Sequence, residues 1–228
     1  MGTVLLAVER SSGRLPHPGP LPEEEGEGQH STMNPSWHIR TGRLHLSPVG
    51  WGDLPDLRRL KGDPATYAQM LGGIRNPGQV ADELAADTSY WAARGVGMWI
   101  ARPAAGGPAL GLTGIHDRPD GRSPALRFAF TQASRGHGYA REAAGAALRF
   151  AHDAGLPQVF AVAKDSNIAS RTVLGAIGMR TCDAFLRGGE PVTVYESVVR
   201  PAPDWPGKRQ AASAPPFRSE RWDWGSGR

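Results

Sequence analysis

Three scarcities narrow the classes of protein that this 228-residue sequence can encode. It has a single cysteine, Cys182, which rules out an internal disulfide and a zinc site built from several thiolates. It has no run approaching the roughly 20 apolar residues that span a bilayer. The short apolar run at residues 4–8 ends at Glu9 and lacks the features of a signal peptide. We therefore expect a cytoplasmic protein with no membrane partner and no metal.

The third scarcity is of lysine, which occurs only as Lys61, Lys164 and Lys208. The positive charge comes almost entirely from arginine, and the net charge is only +4. A nucleic-acid binder driven by arginine is a competing class, but such proteins concentrate their basic residues on one face or stripe. Here the arginines are scattered among acidic residues, so we expect no nucleic-acid partner.

Glycine (30 residues) and proline (20 residues) are abundant, and they are prominent at both ends of the chain. Residues 11–32 and 201–228 contain mainly Pro, Gly and polar residues and show no helical or strand period. We predict a disordered extension at 1–35, a folded domain at 36–200 and a disordered, proline-rich tail at 201–228. Met33 is an alternative translation start, because it stands just before the first structured-looking residues.

The middle of the chain alternates between strand-like and helix-like hydrophobic periods. Asp53 is a candidate N-cap for the first helix, Gly95 a candidate end of the second, and Asp120–Gly121 a turn between two strands. Ser166 or Asn167 is expected to begin the last helix. Predicted helices cover residues 54–60, 80–94, 139–154 and 166–178, and predicted strands cover residues 43–48, 98–102, 110–116, 125–131, 158–163, 182–186 and 192–199. The order β-α-α-β-β-β-α-β-α-β-β predicts an α/β fold, with one mixed sheet and helices on both faces.

The loop at residues 135–140 (RGHGYA) joins a predicted strand to an alanine-faced helix. Gly136 and Gly138 let the backbone turn sharply and place no Cβ between its amides and a ligand. The first N–H groups of a helix lack an internal acceptor and carry partial positive charge, so they suit a pyrophosphate. Arg135 would add a bidentate contact. The alternative is a glycine-rich turn that binds nothing.

Two motifs in this half of the chain resemble the GNAT superfamily of acetyltransferases. Arg135-x-x-Gly138-x-Ala140 is similar to the family's Q/R-x-x-G-x-G/A signature. Asn167-x-x-Ser170, followed by a hydrophobic helix and Gly178, resembles its second motif. The sequences of residues 43–48 and 138–143 most resemble those of the ribosomal-protein N-terminal (alanine) acetyltransferase branch.

The resemblance implies that acetyl-coenzyme A is the co-substrate. Its pyrophosphate would lie on the amides of Arg135, Gly136, His137, Gly138, Tyr139 and Ala140. Its pantetheine arm would pair with the preceding strand near Phe128 and Phe130, and Asn167 would hydrogen-bond this arm. The thioester would then lie between the strands at 125–131 and 158–163, which splay apart in the family fold.

The sequence departs from the family pattern at both proton-transfer positions. Ala125 stands where many relatives have a glutamate base, and Leu174 where many have a tyrosine acid. Ser170 is a candidate proton donor to the leaving thiolate, or else a capping or surface residue. His116 is a candidate base, because a pKa of about 6.5 suits deprotonation of an amine, or else it forms a polar pair with Asp117 at the end of a strand. Bulk water as the base is a further alternative.

The resemblance implies an N-acetyltransferase that moves the acetyl group of acetyl-coenzyme A to a primary amine by direct attack. The amine is a protein N-terminal α-amine or a small-molecule amine. An alternative is a catalytically weak domain that binds acetyl-coenzyme A as a sensor or scaffold. The missing glutamate and tyrosine motivate that alternative.

Overall fold

The computed structural model describes residues 37–117 and 124–199. The predicted terminal extensions, the Asp120–Gly121 turn, Met33 and Lys208 lie outside these ranges. All of the described residues belong to one compact unit.

Eight strands form a single mixed sheet in the order β1-β2-β3-β4-β5-β6-β8-β7. Neighbouring strands are antiparallel except β5 and β6, which run parallel. The strands are β1 Ile39–Arg40, β2 Leu44–Pro48, β3 Met98–Pro103, β4 Gly111–His116, β5 Ala125–Phe130, β6 Gln158–Lys164, β7 Arg180–Arg187 and β8 Glu190–Val198. The predicted mixed sheet is therefore confirmed. The sequence did not predict β1, because two residues are too few to show a period.

Five α-helices cover the two faces of the sheet: α1 Leu54–Gly62, α2 Pro64–Tyr67, α3 Pro77–Arg94, α4 Tyr139–Asp153 and α5 Ile168–Ala176. Leu57 of α1, Tyr67 of α2 and Leu84 of α3 pack with Ile100 and Leu112 on one face. The opposite face carries α4 and α5, whose buried side chains pack on the alternate residues of the same strands. Because α4 buries mainly alanines, its axis can approach the sheet closely.

Local hydrogen bonds explain where the helices begin. The Asn76 side chain accepts from the Gln79 N–H, and Pro77 fills the first turn of α3, so this helix starts three residues before its predicted start. Asp53 does precede α1, but its carboxylate accepts from the Gly50 N–H (2.9 Å) and from Arg102 (2.9 Å) instead of capping the helix. A 3₁₀ turn at Trp51–Asp53 explains this difference. Asp63 caps the unpredicted α2 by accepting from the Ala65 N–H at 3.0 Å.

Candidate active site

The site lies where two parallel strands separate. β5 and β6 are paired at Ala125 and Phe160, and the Phe160 N–H donates to the Pro124 carbonyl at 3.1 Å. No ladder pair joins the described residues of these two strands beyond that point, so a gap opens toward their carboxyl ends. A cavity of about 540 Å³ occupies this region and is lined by residues from both faces of the sheet.

The loop before α4 presents unpaired amides. Gly136 (φ 79°) and Gly138 (φ 75°) both adopt left-handed backbone conformations, which other residues adopt only with strain. The first turn of α4 closes with a hydrogen bond from the Glu142 N–H to the Gly138 carbonyl at 3.1 Å. The N–H groups of residues 139–141 precede this bond and have no acceptor inside the helix. This helix terminus suits an anionic group.

Arg43 and Glu142 hold the loop in place. Glu142 accepts from the Arg43 N–H (2.9 Å) and from Arg43 Nε (2.7 Å), and Arg43 Nη1 donates to the His137 carbonyl at 2.7 Å. The Arg43 guanidinium also stacks over the Tyr139 ring, 4.9 Å from its centroid. Burial alone would raise the pKa of Glu142, but hydrogen bonds from Thr41 and Arg43 lower it. Sequence reasoning missed this pair, since 99 residues separate its members and the resemblance of their two stretches to the family does not show that they touch.

The other predicted cofactor residues have varied surroundings. Arg135 is exposed and donates a hydrogen bond to the Ala65 carbonyl. The exposed His137 ring contacts the Arg135 carbonyl through Nδ1 (2.8 Å) and stacks on Tyr139. Ala140 is half-buried in the first turn of α4. Phe130 is buried in the core, so its backbone is the part of this residue that is available to a ligand beside β5.

Asn167 and Ser170 lie together on the cavity wall at the start of α5. The Asn167 carbonyl oxygen caps the helix by accepting from the Ser170 N–H at 3.1 Å. The Asn167 amide nitrogen and the Ser170 hydroxyl make no hydrogen bond with any described residue. Both groups are therefore available to a ligand in the cavity.

His116 lies at the end of β4 and lines the same cavity. Its Nδ1 is 2.7 Å from the Asp117 carbonyl oxygen. Because a carbonyl only accepts, Nδ1 carries the proton and Nε2 keeps its lone pair. Burial and the nearby Arg127 guanidinium lower the pKa of His116 to about 3. The imidazole is therefore neutral at physiological pH, in contrast to the ordinary pKa assumed from the sequence.

The Asp117 carboxylate is engaged elsewhere. It accepts from the Tyr90 hydroxyl at 3.1 Å and lies 3.7 Å from Arg94 Nη2. His116 and Asp117 therefore contact each other through the Asp117 backbone carbonyl, while the Asp117 carboxylate faces α3.

Ala125 and Leu174 also line the cavity. Neither side chain transfers protons, so the wall lacks a carboxylate or phenol at both positions that the family pattern provides. Among the residues that the structure describes, His116 and Ser170 are the neutral proton-transfer groups on this wall. The sequence pattern gave no sign of Arg75 or Arg127, which line the cavity too.

Two further features concern the described ranges as a whole. No helix within residues 37–117 and 124–199 is both long enough and apolar enough to span a membrane. The same residues contain no group of three or more His, Cys, Asp or Glu side chains placed to hold a metal ion.

Similar structures share this architecture at low sequence identity. An acetyltransferase from Agrobacterium tumefaciens has a TM-score of 0.62 and 24% identity, covering 81% of this chain and 99% of its own. An acetyltransferase from Salmonella typhimurium, which modifies the N-terminal serine of 50S ribosomal subunit protein L7/L12, has a TM-score of 0.60 and 14% identity, covering 70% and 97%. A ribosomal L7/L12 α-N-protein acetyltransferase in complex with coenzyme A has a TM-score of 0.59 and 13% identity, covering 71% and 98%. These likenesses support the fold.

Membership of a family rests on the sequence itself. No curated protein matches the sequence. Residues 43–180 match the sequence model of the acetyltransferase (GNAT) domain, and this range is more than half of the chain. The chain therefore belongs to the GNAT family of acetyltransferases, acyltransferases that use acetyl-coenzyme A.

Proposed function

We propose that this protein transfers the acetyl group of acetyl-coenzyme A to a primary amine by direct attack of the amine on the thioester. The acceptor is a protein N-terminal α-amine or a small-molecule amine with similar basicity. The observation that carries this proposal is the single cavity that opens between β5 and β6 and is lined by His116, Asn167 and Ser170. Because acetyl-coenzyme A is a cytoplasmic metabolite, we place the reaction in the cytoplasm.

The residues fit acetyl-coenzyme A in two respects. The N–H groups of residues 139–141 follow two left-handed glycines at a helix terminus, where a pyrophosphate would be held with Arg135. The Asn167 amide nitrogen is an unpaired donor on the cavity wall, suited to a carbonyl of the pantetheine arm. Acetyl-coenzyme A would supply the thioester carbon to which the amine nitrogen bonds as the carbon–sulfur bond breaks.

The reaction moves two protons, and we propose one residue of the cavity wall for each. The amine loses a proton as its nitrogen bonds to carbon, and His116 Nε2 is the available hydrogen-bond acceptor. The leaving sulfur gains a proton, and the Ser170 hydroxyl is the available donor. With a pKa of about 3, His116 orients a neutral amine but does not hold its proton firmly, so the proton passes on to water.

This weak base favours an α-amine as the acceptor. An α-amine has a pKa of about 7.7–8.0, whereas a lysine amine has one of about 10.4. At pH 8 about half of an α-amine is already neutral, against roughly 0.4% of a lysine amine. The L7/L12 acetyltransferases among the similar structures act on an N-terminal amine, as their names state, which agrees with this preference.

The first test is calorimetric titration of the full chain with acetyl-coenzyme A. We expect a dissociation constant of roughly 1–100 μM for the wild type, or about −8 to −5.5 kcal/mol. Gly138→Asp should abolish binding, because it adds a negative charge beside the loop amides. Gly155→Asp is the matched control, since Gly155 also has a positive φ (94°) and follows the other end of α4. Equal binding by the two variants would show that the loop does not bind the pyrophosphate.

The second test is turnover on amines. Peptides with free N-termini, their N-acetylated forms and free lysine would be incubated with acetyl-coenzyme A and the products identified by mass spectrometry. Acetylation of the α-amine with release of free thiol supports the proposal. Tight cofactor binding without turnover on any amine would favour a binding-only domain.

A further inference from the structure

Arg127 is a charged side chain without a counter-ion on the cavity wall. It lies on β5, is half-buried and lines the cavity. It makes no ion pair or hydrogen bond within residues 37–117 and 124–199. An arginine is protonated at any physiological pH, so the wall carries a fixed positive charge here.

The cavity is lined by three other cationic residues, Arg75, Lys164 and Arg187, and carboxylates of the protein neutralise the first two. Arg75 Nε is 2.5 Å from Glu83 Oε1, and Lys164 Nζ is 2.6 Å from Glu190 Oε2. A partly desolvated charge is unfavourable unless it is paired. Arg127 therefore differs from Arg75 and Lys164 in having no carboxylate partner among residues 37–117 and 124–199.

The nearby carboxylates are already engaged. Glu83 pairs with Lys61 at 2.6 Å as well as with Arg75, and Asp117 contacts Tyr90 and Arg94. Burial raises the pKa of Asp87 and the charge of Arg127 partly offsets this rise, but the ion pair that Asp87 makes joins its Oδ2 to Lys61 Nζ at 4.0 Å. The described carboxylates nearest Arg127 thus have other partners, and a ligand in the cavity could supply its counter-ion.

The strand register places Arg127 beside the candidate catalytic histidine. Ala125 lies opposite His116 and Arg127 lies opposite Gly114 in the β4–β5 ladder. His116 and Arg127 are thus diagonal neighbours on one face of the sheet, at a separation of roughly 7–8 Å, with their Cβ atoms somewhat closer. The field of Arg127 also contributes to the low pKa of His116.

We propose that Arg127 determines acceptor specificity by binding a carboxylate that the acceptor carries within about one residue's length of its reacting amine. This inference rests on the proposed acetyl transfer. A planar guanidinium binds a carboxylate through two parallel hydrogen bonds, and such a pair would give Arg127 a counter-ion. The carboxylate belongs either to a free amino acid or to an acidic side chain at the start of a polypeptide.

The test compares near-isosteric acceptors that differ by one carboxylate, with each kcat/KM corrected for the fraction of the amine that is neutral at the assay pH. Peptides beginning Asp-Ala and Asn-Ala form one pair, and free alanine and alaninamide form the other. We expect the wild type to have a kcat/KM roughly 10- to 100-fold higher for the acidic member of one pair, the range of a charge-assisted hydrogen bond. The pair that shows the preference identifies the source of the carboxylate.

Arg127→Gln should remove this preference and Arg127→Glu should reverse it in favour of a peptide beginning Lys-Ala. Lys164→Gln is the matched control, because it removes one positive charge from the same wall where a protein carboxylate already pairs it. This control should change the acidic-to-neutral ratio less than twofold. Loss of activity of Arg127→Gln on all acceptors alike would overturn the inference and assign Arg127 to the cofactor or the reacting atoms.

A binding measurement separates this inference from the proposed function. The same peptides would be titrated calorimetrically into the full chain with coenzyme A, which lacks the acetyl group and permits no turnover. Tighter binding of Asp-Ala or alanine that disappears in Arg127→Gln supports the carboxylate site even if no amine is acetylated. Equal binding of acidic and neutral members by the wild type overturns the inference, while acetylation of neutral amines would leave the proposed function standing.

Discussion

Asp87 on α3 should weaken the fold as the pH rises. Its carboxylate is mostly buried and lies 4.0 Å from Lys61 Nζ, whereas Glu83 takes the shorter contact with that amine at 2.6 Å. Burial raises the pKa of Asp87 to about 6, and the attraction of Lys61 and Arg127 only partly offsets it. Substitution by asparagine keeps the size of the side chain and removes the charge.

The size of the effect follows from proton linkage. Between an unfolded pKa of 3.8 and a folded pKa of about 6 the folded protein binds more protons than the unfolded chain. The contribution of Asp87 to stability is therefore most favourable below pH 3.8, falls as the pH rises toward 6 and levels off above it. From pH 4.5 to pH 7.5 this loss amounts to about 2 kcal/mol, at 1.36 kcal/mol for each pKa unit.

The assay is urea unfolding of the wild type and Asp87→Asn at pH 4.5, 6 and 7.5. The free energy of unfolding of the variant, relative to wild type, should increase by about 2 kcal/mol across this range. The lower limit keeps Glu83 ionised, because Lys61 and Arg75 outweigh its burial and lower its pKa to about 2. Asp82→Asn, on the exposed side of the same helix, should show no such trend. A variant that loses stability relative to wild type as the pH rises would refute the reasoning.

Two further variants test the site. Glu142→Gln should weaken acetyl-coenzyme A binding about 3- to 10-fold by calorimetry, because Arg43 and the loop lose their anchor. It should also lower the free energy of unfolding by only about 1 kcal/mol, because the Arg43 side chain is half exposed and solvent screens the charged hydrogen bonds that are lost. This corresponds to roughly 2–4 °C in melting temperature, and an unchanged affinity would show that Arg43 does not support the loop. Ser170→Ala should lower kcat about 100-fold, the smaller end of the range for general acid catalysis, while the dissociation constant for acetyl-coenzyme A stays within twofold; an unchanged kcat would remove Ser170 as the proton donor.

Short-range signals predicted most of the fold. The alanine face of α4, the alternation of β2 and β5 and the asparagine before α5 are all local patterns, and the helices and strands that they predict are present. The loop at residues 135–140 was identified in the same way, from the spacing of two glycines before a helix. Its role in binding is still a prediction.

The missing parts depend on contacts between distant residues. Arg43 and Glu142 meet because β2 lies next to the start of α4, and no local pattern of either segment encodes that contact. The pKa of His116 depends on its burial and on Arg127 of the neighbouring strand. The sequence shows neither contact, so the His116-Asp117 pair alone suggested a histidine with an ordinary pKa. The four-residue α2 depends on the Asp63 cap and on the burial of Tyr67.

The charge on Arg127 bears on both binding and proton loss. Its field lowers the pKa of His116, and the same field would lower the pKa of an ammonium bound beside it, which favours the neutral nucleophile. A neutral acceptor would keep this advantage, whereas the carboxylate of an acidic acceptor would cancel it while tightening binding. Arg127 should therefore act mainly on KM for acidic acceptors and on the pH dependence of the rate for neutral ones. Ala125 stands at the usual base position and Leu174 at the usual acid position. The fixed charge of Arg127 could therefore select the acceptor on this wall without itself acting as a base.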